Sequence, residues 1–141
     1  MSSFSDYSEN AILNHFFRGS AASTPTSSYV ALYTADPTDA NVTANEVGLA
    51  AWPAYVRQDA AASGAISTAW TAPANGVSTN AKAITFPANN GSGNVTVTHV
   101  GLLDAGSGGN LIMANALTAP KTLAPGDVLS FAIGALSLTV Q

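Results

Sequence analysis

Hydrophobic positions along this chain change period once. Over residues 5–19, "SDYSENAILNHFFRG", Ile12, Leu13, Phe16 and Phe17 fall at i, i+1, i+4 and i+5, the spacing of one apolar stripe on an α-helix. Ser5 or Asp6 can cap its start, and Asp6 with Glu9 has the carboxylate spacing of a capping box. Arg18 suits the negative end of the helix dipole, and Gly19 is a natural stop. Residues 19–28, "GSAASTPTSS", read as a flexible connector.

From residue 28 onward the period is that of β-structure. "SYVALYT" (28–34) is apolar on both faces and predicts a strand buried on each side. Further strands are predicted over 54–58, 65–70, 81–86, 94–104, 111–117 and 128–140, with Gly134 bending or bulging the last. "PANG", "PANNGSG", "AGSGGN" and "APGD" supply turn chemistry between them, and 41–53 reads as a loop over one face. Short strands without helical crossovers predict a mainly β fold. Its form is an antiparallel sandwich, jelly-roll-like, or a small barrel, with one N-terminal α-helix. Residues 1–27 form the helix and connector, and 28–141 the β domain.

Candidate chemistry is sparse. His99 and Asp104 flank a glycine-rich stretch, but their odd spacing puts them on opposite faces of a regular strand. "AGSGGN" lacks the Lys-Ser/Thr of a phosphate loop and leads into a strand, so it reads as a hairpin in which Gly106, Gly108, Gly109 and Asn110 supply positive φ. His15 has no second His or Cys at ligand spacing. Asp36 and Asp39 lack the alternation and terminal glutamate of a calcium loop, and no Gly-x-Ser-x-Gly elbow occurs. No catalytic, metal or cofactor residues are therefore expected. Trp52 and Trp70, with Tyr55, suit either a sugar-stacking platform or a division of labour in which one fills the core and another sits at a subunit contact.

Composition narrows the partners. Only 9% of the 141 residues are charged, and polarity comes from Ser, Thr and Asn. A surface so short of ionised groups suits a chain covered by copies of itself or by another protein, since free monomers usually stay soluble through mixed charge. Four basic residues, Arg18, Arg57, Lys82 and Lys121, cannot neutralise a phosphate backbone, which argues against nucleic acid. No apolar run is long enough to span a bilayer, and the N-terminus lacks a signal-peptide pattern. Without cysteine there is no disulfide framework and no thiolate chemistry.

Four stretches together carry a resemblance: "SDYSENAILNHFFRG" (5–19), "YVALYTADPTDA" (29–40), "VTHVGLLDAGSGGNLI" (95–110) and "PGDVLSFAIGALSLTV" (125–140). They resemble a family of short virion proteins of tailed bacteriophages, whose members are labelled tail fibre proteins or head decoration (cement) proteins. The resemblance implies a structural role on the virion and no catalysis. The leading expectation is a trimeric cement protein on the outside of the head, bridging major capsid subunits; the alternative is a tail fibre component that recognises host glycan. Interface residues are expected at Phe4, Tyr7, Ile12, Phe16, Phe17 and Arg18, with Trp52 and Trp70. The helix stripe either docks on a neighbour or caps one end of its own sandwich.

Overall fold

The computed structural model describes residues 3–140; Met1, Ser2 and Gln141, which the two expected segments include, lie outside the described residues. In chain order the elements are β1 (Ser3–Phe4), α1 (Asp6–Arg18), β2 (Tyr29–Tyr33), β3 (Gln58–Asp59), β4 (Val77–Thr79), β5 (Ile84–Thr85), β6 (Val95–Leu103), β7 (Leu111–Leu123), β8 (Ser130–Phe131) and β9 (Ser137–Thr139). Strands β1-β7-β6-β2-β3 form one antiparallel sheet, and β4–β9 and β5–β8 form two antiparallel ribbons. The fold is mainly β with a single α-helix near the N-terminus among the described residues, as the pattern predicts. Its sheets stay open, so the barrel alternative does not apply.

β2 explains the architecture. Val30 and Leu32 enter the main core, while Ala31 and Tyr33 enter a second cluster with Leu103 and Leu111 on the opposite face. All four are completely buried, which is why this strand reads as apolar on both sides. The main core packs Val97, Leu102, Met113 and Leu123 of the large sheet against Trp52, Tyr55, Ile84, Phe86 and Leu129. Tyr55 and Phe86 lie parallel at 6.1 Å between centroids, and Trp52 and Phe131 flank them at 5.8 and 6.5 Å. The loop expected over 41–53 follows the exposed edge of β2: the Val47 N–H donates to Leu32 O at 2.9 Å and the Thr34 N–H to Asn45 O at 2.8 Å. It delivers Val47 and Trp52 to the core.

Three predicted strands are shortened or replaced, for local reasons. Residues 65–70 form a 3-10 turn over Ile66–Thr68, closed by the Thr68 hydroxyl donating to Ala65 O at 2.8 Å. Of 54–58 only Gln58 pairs, because Tyr55 points into the core and the Arg57 side chain is drawn towards Glu46. Of 81–86 only Ile84–Thr85 pairs, after the Asn80 side chain has closed a turn onto Lys82 O. Gly134 does more than bend a strand. With φ +78° it turns the chain, so that residues 130–131 pair with β5 and residues 137–139 with β4. β7 runs on to Leu123 despite Pro120, which lies within the irregular stretch 117–120 that faces only Thr98 of β6, between the Val97–Lys121 and His99–Ala116 pairs. A proline is tolerated where a strand is irregular or at an edge, because its missing N–H leaves no partner unsatisfied there. The strands Ser3–Phe4 and Val77–Thr79 were not foreseen.

Asn80 holds the two ribbons together. Its side chain is fully buried, its amide donates to Lys82 O (2.7 Å) and Ala132 O (2.9 Å), and its carbonyl accepts from the Leu136 N–H (2.8 Å). An unsatisfied buried backbone group costs about 1–3 kcal/mol. Asn80→Ala is therefore expected to lower the stability of the chain by roughly 3 kcal/mol or more, measured by denaturant unfolding. Asn80→Asp is expected to lose at least as much at neutral pH, because a buried carboxylate oxygen would face the Lys82 and Ala132 carbonyls in place of the amide donor.

Candidate functional site: an exposed helix and an apolar trough

The helix is held by its first turn. Ser5 is the N-cap, and its hydroxyl accepts from the Ser8 N–H at 3.3 Å and donates to Leu111 O. The Ser5 N–H and the Ser8 hydroxyl both reach Ile112 O, at 3.1 and 2.7 Å. The cap is thus a serine pair rather than the Asp6/Glu9 box the spacing suggested. The Asp6 N–H donates to Asp39 O at 3.0 Å, tying the same turn to the "DPTDAN" loop. Gly19 ends the helix in the left-handed region at φ +66°, as predicted.

Beyond that turn the helix leaves the domain. Ser8 is its one buried residue, whereas Leu13 is 54% exposed, Phe16 73% and Phe17 80%. Tyr7, Ile12 and Arg18 are exposed too, and the His15 ring meets Phe16 edge-on at 5.1 Å. The stripe therefore does not cap its own sandwich. Phe4 differs: it is half-buried, pairs with Met113 in the main sheet and packs against the core.

A second apolar surface surrounds Trp70. This ring is half-buried and donates from Nε1 to Ser28 Oγ at 3.0 Å. A groove of about 550 Å³ lies on one side of it, between β7 and the β8–β9 turn. A second, of about 340 Å³, lies towards Phe4, Pro25 and Ile112. The two share Trp70, Leu102, Met113 and Leu138 and so form one trough, in which Lys121 is the one charged lining residue among those described. Trp52 is different. It is completely buried with Nε1 bonded to Ala88 O at 3.1 Å, so it is a core residue and the expectation of an interface role for it fails on burial.

The polar clusters are locks. The Asp104 carboxylate accepts from the Asn110 N–H and side-chain amide at 2.7 and 2.8 Å, and His99 Nδ1 bonds Thr98 Oγ1 instead. "AGSGGN" is the predicted hairpin, with positive φ at Gly108 and Gly109 but not at Gly106 or Asn110. Glu46 and Arg57 form a half-buried ion pair at 2.7 Å. Arg57 also donates to Ala105 O and Gly108 O, pinning that hairpin to the loop along β2. Bonding to Glu46 raises the Arg57 guanidinium above its usual value. The Tyr55 hydroxyl accepts from the Leu32 N–H and donates to Glu46; burial pushes its pKa far up. Burial, helped by the Glu46 charge, pushes Tyr33 to about 12. Its hydroxyl has no hydrogen-bond partner among the described residues. No group of three or more His, Asp and Glu able to hold a metal ion occurs among the described residues.

Two expected outcomes follow from this geometry. Ser8→Ala removes a buried hydrogen bond, costs about 1 kcal/mol and speeds amide exchange throughout α1, whereas Phe17→Ser shifts the stability of the isolated chain by less than about 0.5 kcal/mol. For the tyrosines, folded values above the ordinary 10.0 mean that the unfolded chain loses these protons first. Their contribution is complete below pH 10 and declines as pH rises towards about 12. Tyr33→Phe should make that decline shallower, by up to about 1.4 kcal/mol per pH unit, in denaturant titrations on either side of pH 10.

The trough and the stripe are apolar surfaces, and no convergent set of reactive groups lies on either among the described residues. Comparison with curated proteins finds no match. A family model described as Podophage GP4 fiber I protein gp80 matches residues 3–139, nearly the whole chain. The chain belongs to this phage fibre family and is a structural protein of the virion.

Proposed function

We propose that the protein is a component of the tail fibre apparatus that works by assembly, building or attaching the fibre through apolar packing. The observation that carries this is the family match over residues 3–139. Sequence alone put head decoration first and the fibre second; the fibre description of the family supports the second. The surface supports an assembly role. Charged residues are only 9% of the chain, while the helix stripe and the Trp70 trough offer apolar area to a protein partner. Glycan recognition is less well supported, because a sugar site needs several polar groups converging beside the aromatic face. Trp52 is sealed in the core, and the grooves beside Trp70 are lined mainly by apolar side chains, with the Trp70 Nε1 already bonded to Ser28.

Quantitative mass spectrometry of purified virions, with gold-labelled antibody on intact particles, tests the reading. The expected result is label at the tail and a copy number matching tail symmetry. Label over the head with a copy number matching the capsid lattice would overturn the fibre placement in favour of head decoration.

A further inference from the structure

We propose that helix α1 of one copy packs its Leu13, Phe16 and Phe17 into the Trp70 trough of a second copy, so that the chains associate head to tail. This goes beyond the fibre reading and does not depend on it.

The argument starts from where the helix can reach. Its first turn is fixed by Ser5 and Ser8 on the Leu111 and Ile112 carbonyls, and its backbone runs unbroken to Gly19. Thirteen residues at 1.5 Å each make a rod of roughly 20 Å, and Phe17 lies roughly 13 Å beyond Ser8 along the axis. Folding Phe16 and Phe17 back onto their own domain would require breaking the anchored turn. They are 73% and 80% exposed because the rod carries them outward.

The receiving surface is on the same chain. Between the large sheet and the β4–β9 ribbon the sandwich gapes, leaving Trp70, Val100, Ile112, Leu136 and Leu138 only half-covered. A groove of about 550 Å³ admits a few large side chains and is lined chiefly by apolar groups. An amphipathic helix laid in an apolar groove is a recurring recognition mode, read by anchors at the spacing of Leu13, Phe16 and Phe17.

Area favours a second copy as the occupant. Taking ~150–250 Å² for a fully exposed aromatic side chain, the stripe from Tyr7 to Phe17 leaves on the order of 500 Å² open. That is below the roughly 800 Å² per partner of a stable interface. A foreign partner would cover only one of the two surfaces, whereas a second copy supplies both halves of the contact. A chain in such an assembly covers its stripe and its trough, on the order of 1,000 Å² spread over two weak contacts. Because the contact joins different patches, it closes into a small ring or continues as a filament, according to the rotation between copies. The shortage of charge removes the repulsion that would oppose such stacking.

The test uses the whole chain in solution. Analytical ultracentrifugation is expected to show association, weakened at least about 30-fold by Phe16→Ser with Phe17→Ser and similarly by Leu138→Asp in the trough. Circular dichroism checks that each variant is folded. Mixing the helix variant with the trough variant should restore one intact contact and give a one-to-one heterodimer that neither forms alone. Because the chain has no cysteine, single-cysteine variants at Ser20, just past the helix, and Ala116 can be mixed and oxidised with all three helix anchors kept. A cross-linked dimer is expected from that mixture, and Ser92→Cys serves as the control. A chain that stays monomeric at high concentration, or whose assembly survives both sets of substitutions, would overturn the proposal. So would a disulfide forming within one chain carrying both cysteines. None of these outcomes bears on where the protein sits on the virion.

Discussion

The placement of every apolar residue on α1 depends on a small patch of hydrogen bonding where the Ser5 and Ser8 hydroxyls meet the Leu111 and Ile112 carbonyls. These carbonyls lie at the start of β7, on the side where only the two-residue strand β1 pairs with it. The serines extend β1's edge pairing into the helix cap, so one junction both finishes the sheet edge and sets the direction of the rod. An apolar stripe that could in principle have folded onto the domain is instead held away from it. Burial of such a stripe normally supplies most of a helix's stability. Here the anchored turn, the serine cap and the Gly19 stop hold the helix in the isolated chain.

A different constraint governs the opposite end of the sheet. β3 is only two residues long, so most of β2 would be an open edge, a hazard for uncontrolled strand pairing. The loop after β2 covers it with Glu46, Val47 and the Tyr55 hydroxyl, and the Glu46–Arg57 pair fastens that cover to the 104–110 hairpin. A half-buried pair of this kind owes its value to geometry: Arg57 makes four hydrogen bonds, two to Glu46 and two to hairpin carbonyls. One sheet edge is thus closed by protein, while apolar surface near the other is left open. That contrast makes the open surface a feature to be explained.

Elements with strong local signals were legible from sequence. The helix bounds, the two-faced strand at 29–33, the 95–103 strand and the glycine hairpin all follow from period and turn chemistry that tertiary packing did not override. Between residues 54 and 86 the sequence is rich in Ala, Ser and Thr, with few large apolar side chains, so alternation says little there. Its conformation was decided by single side chains such as Tyr55, Thr68 and Asn80, whose partners are distant or lie on the backbone itself. The exposure of the helix stripe was not legible at all. A stripe of one period is compatible with inward or outward packing, and only the position of the serine anchor decides between them. Trp52 and Trp70 show the same limit: identical residues, one sealed and one at a groove, separated by where the 41–53 loop happens to cross the core.

The turn at Gly134 has a consequence for how the chain acquires this shape. The ribbons pair residues 77–79 with 137–139 and 84–85 with 130–131, each closing a stretch on the order of 50 residues. During translation the early halves of both ribbons emerge from the ribosome long before their partners, leaving Ile84 and Phe86 uncovered in the nascent chain. The large sheet, whose β6–β7 hairpin is local, can form first, and the ribbons can close only after residues 130–139 have been made. Closure of the two ribbons is therefore a late step, coming after the rest of the chain has been made.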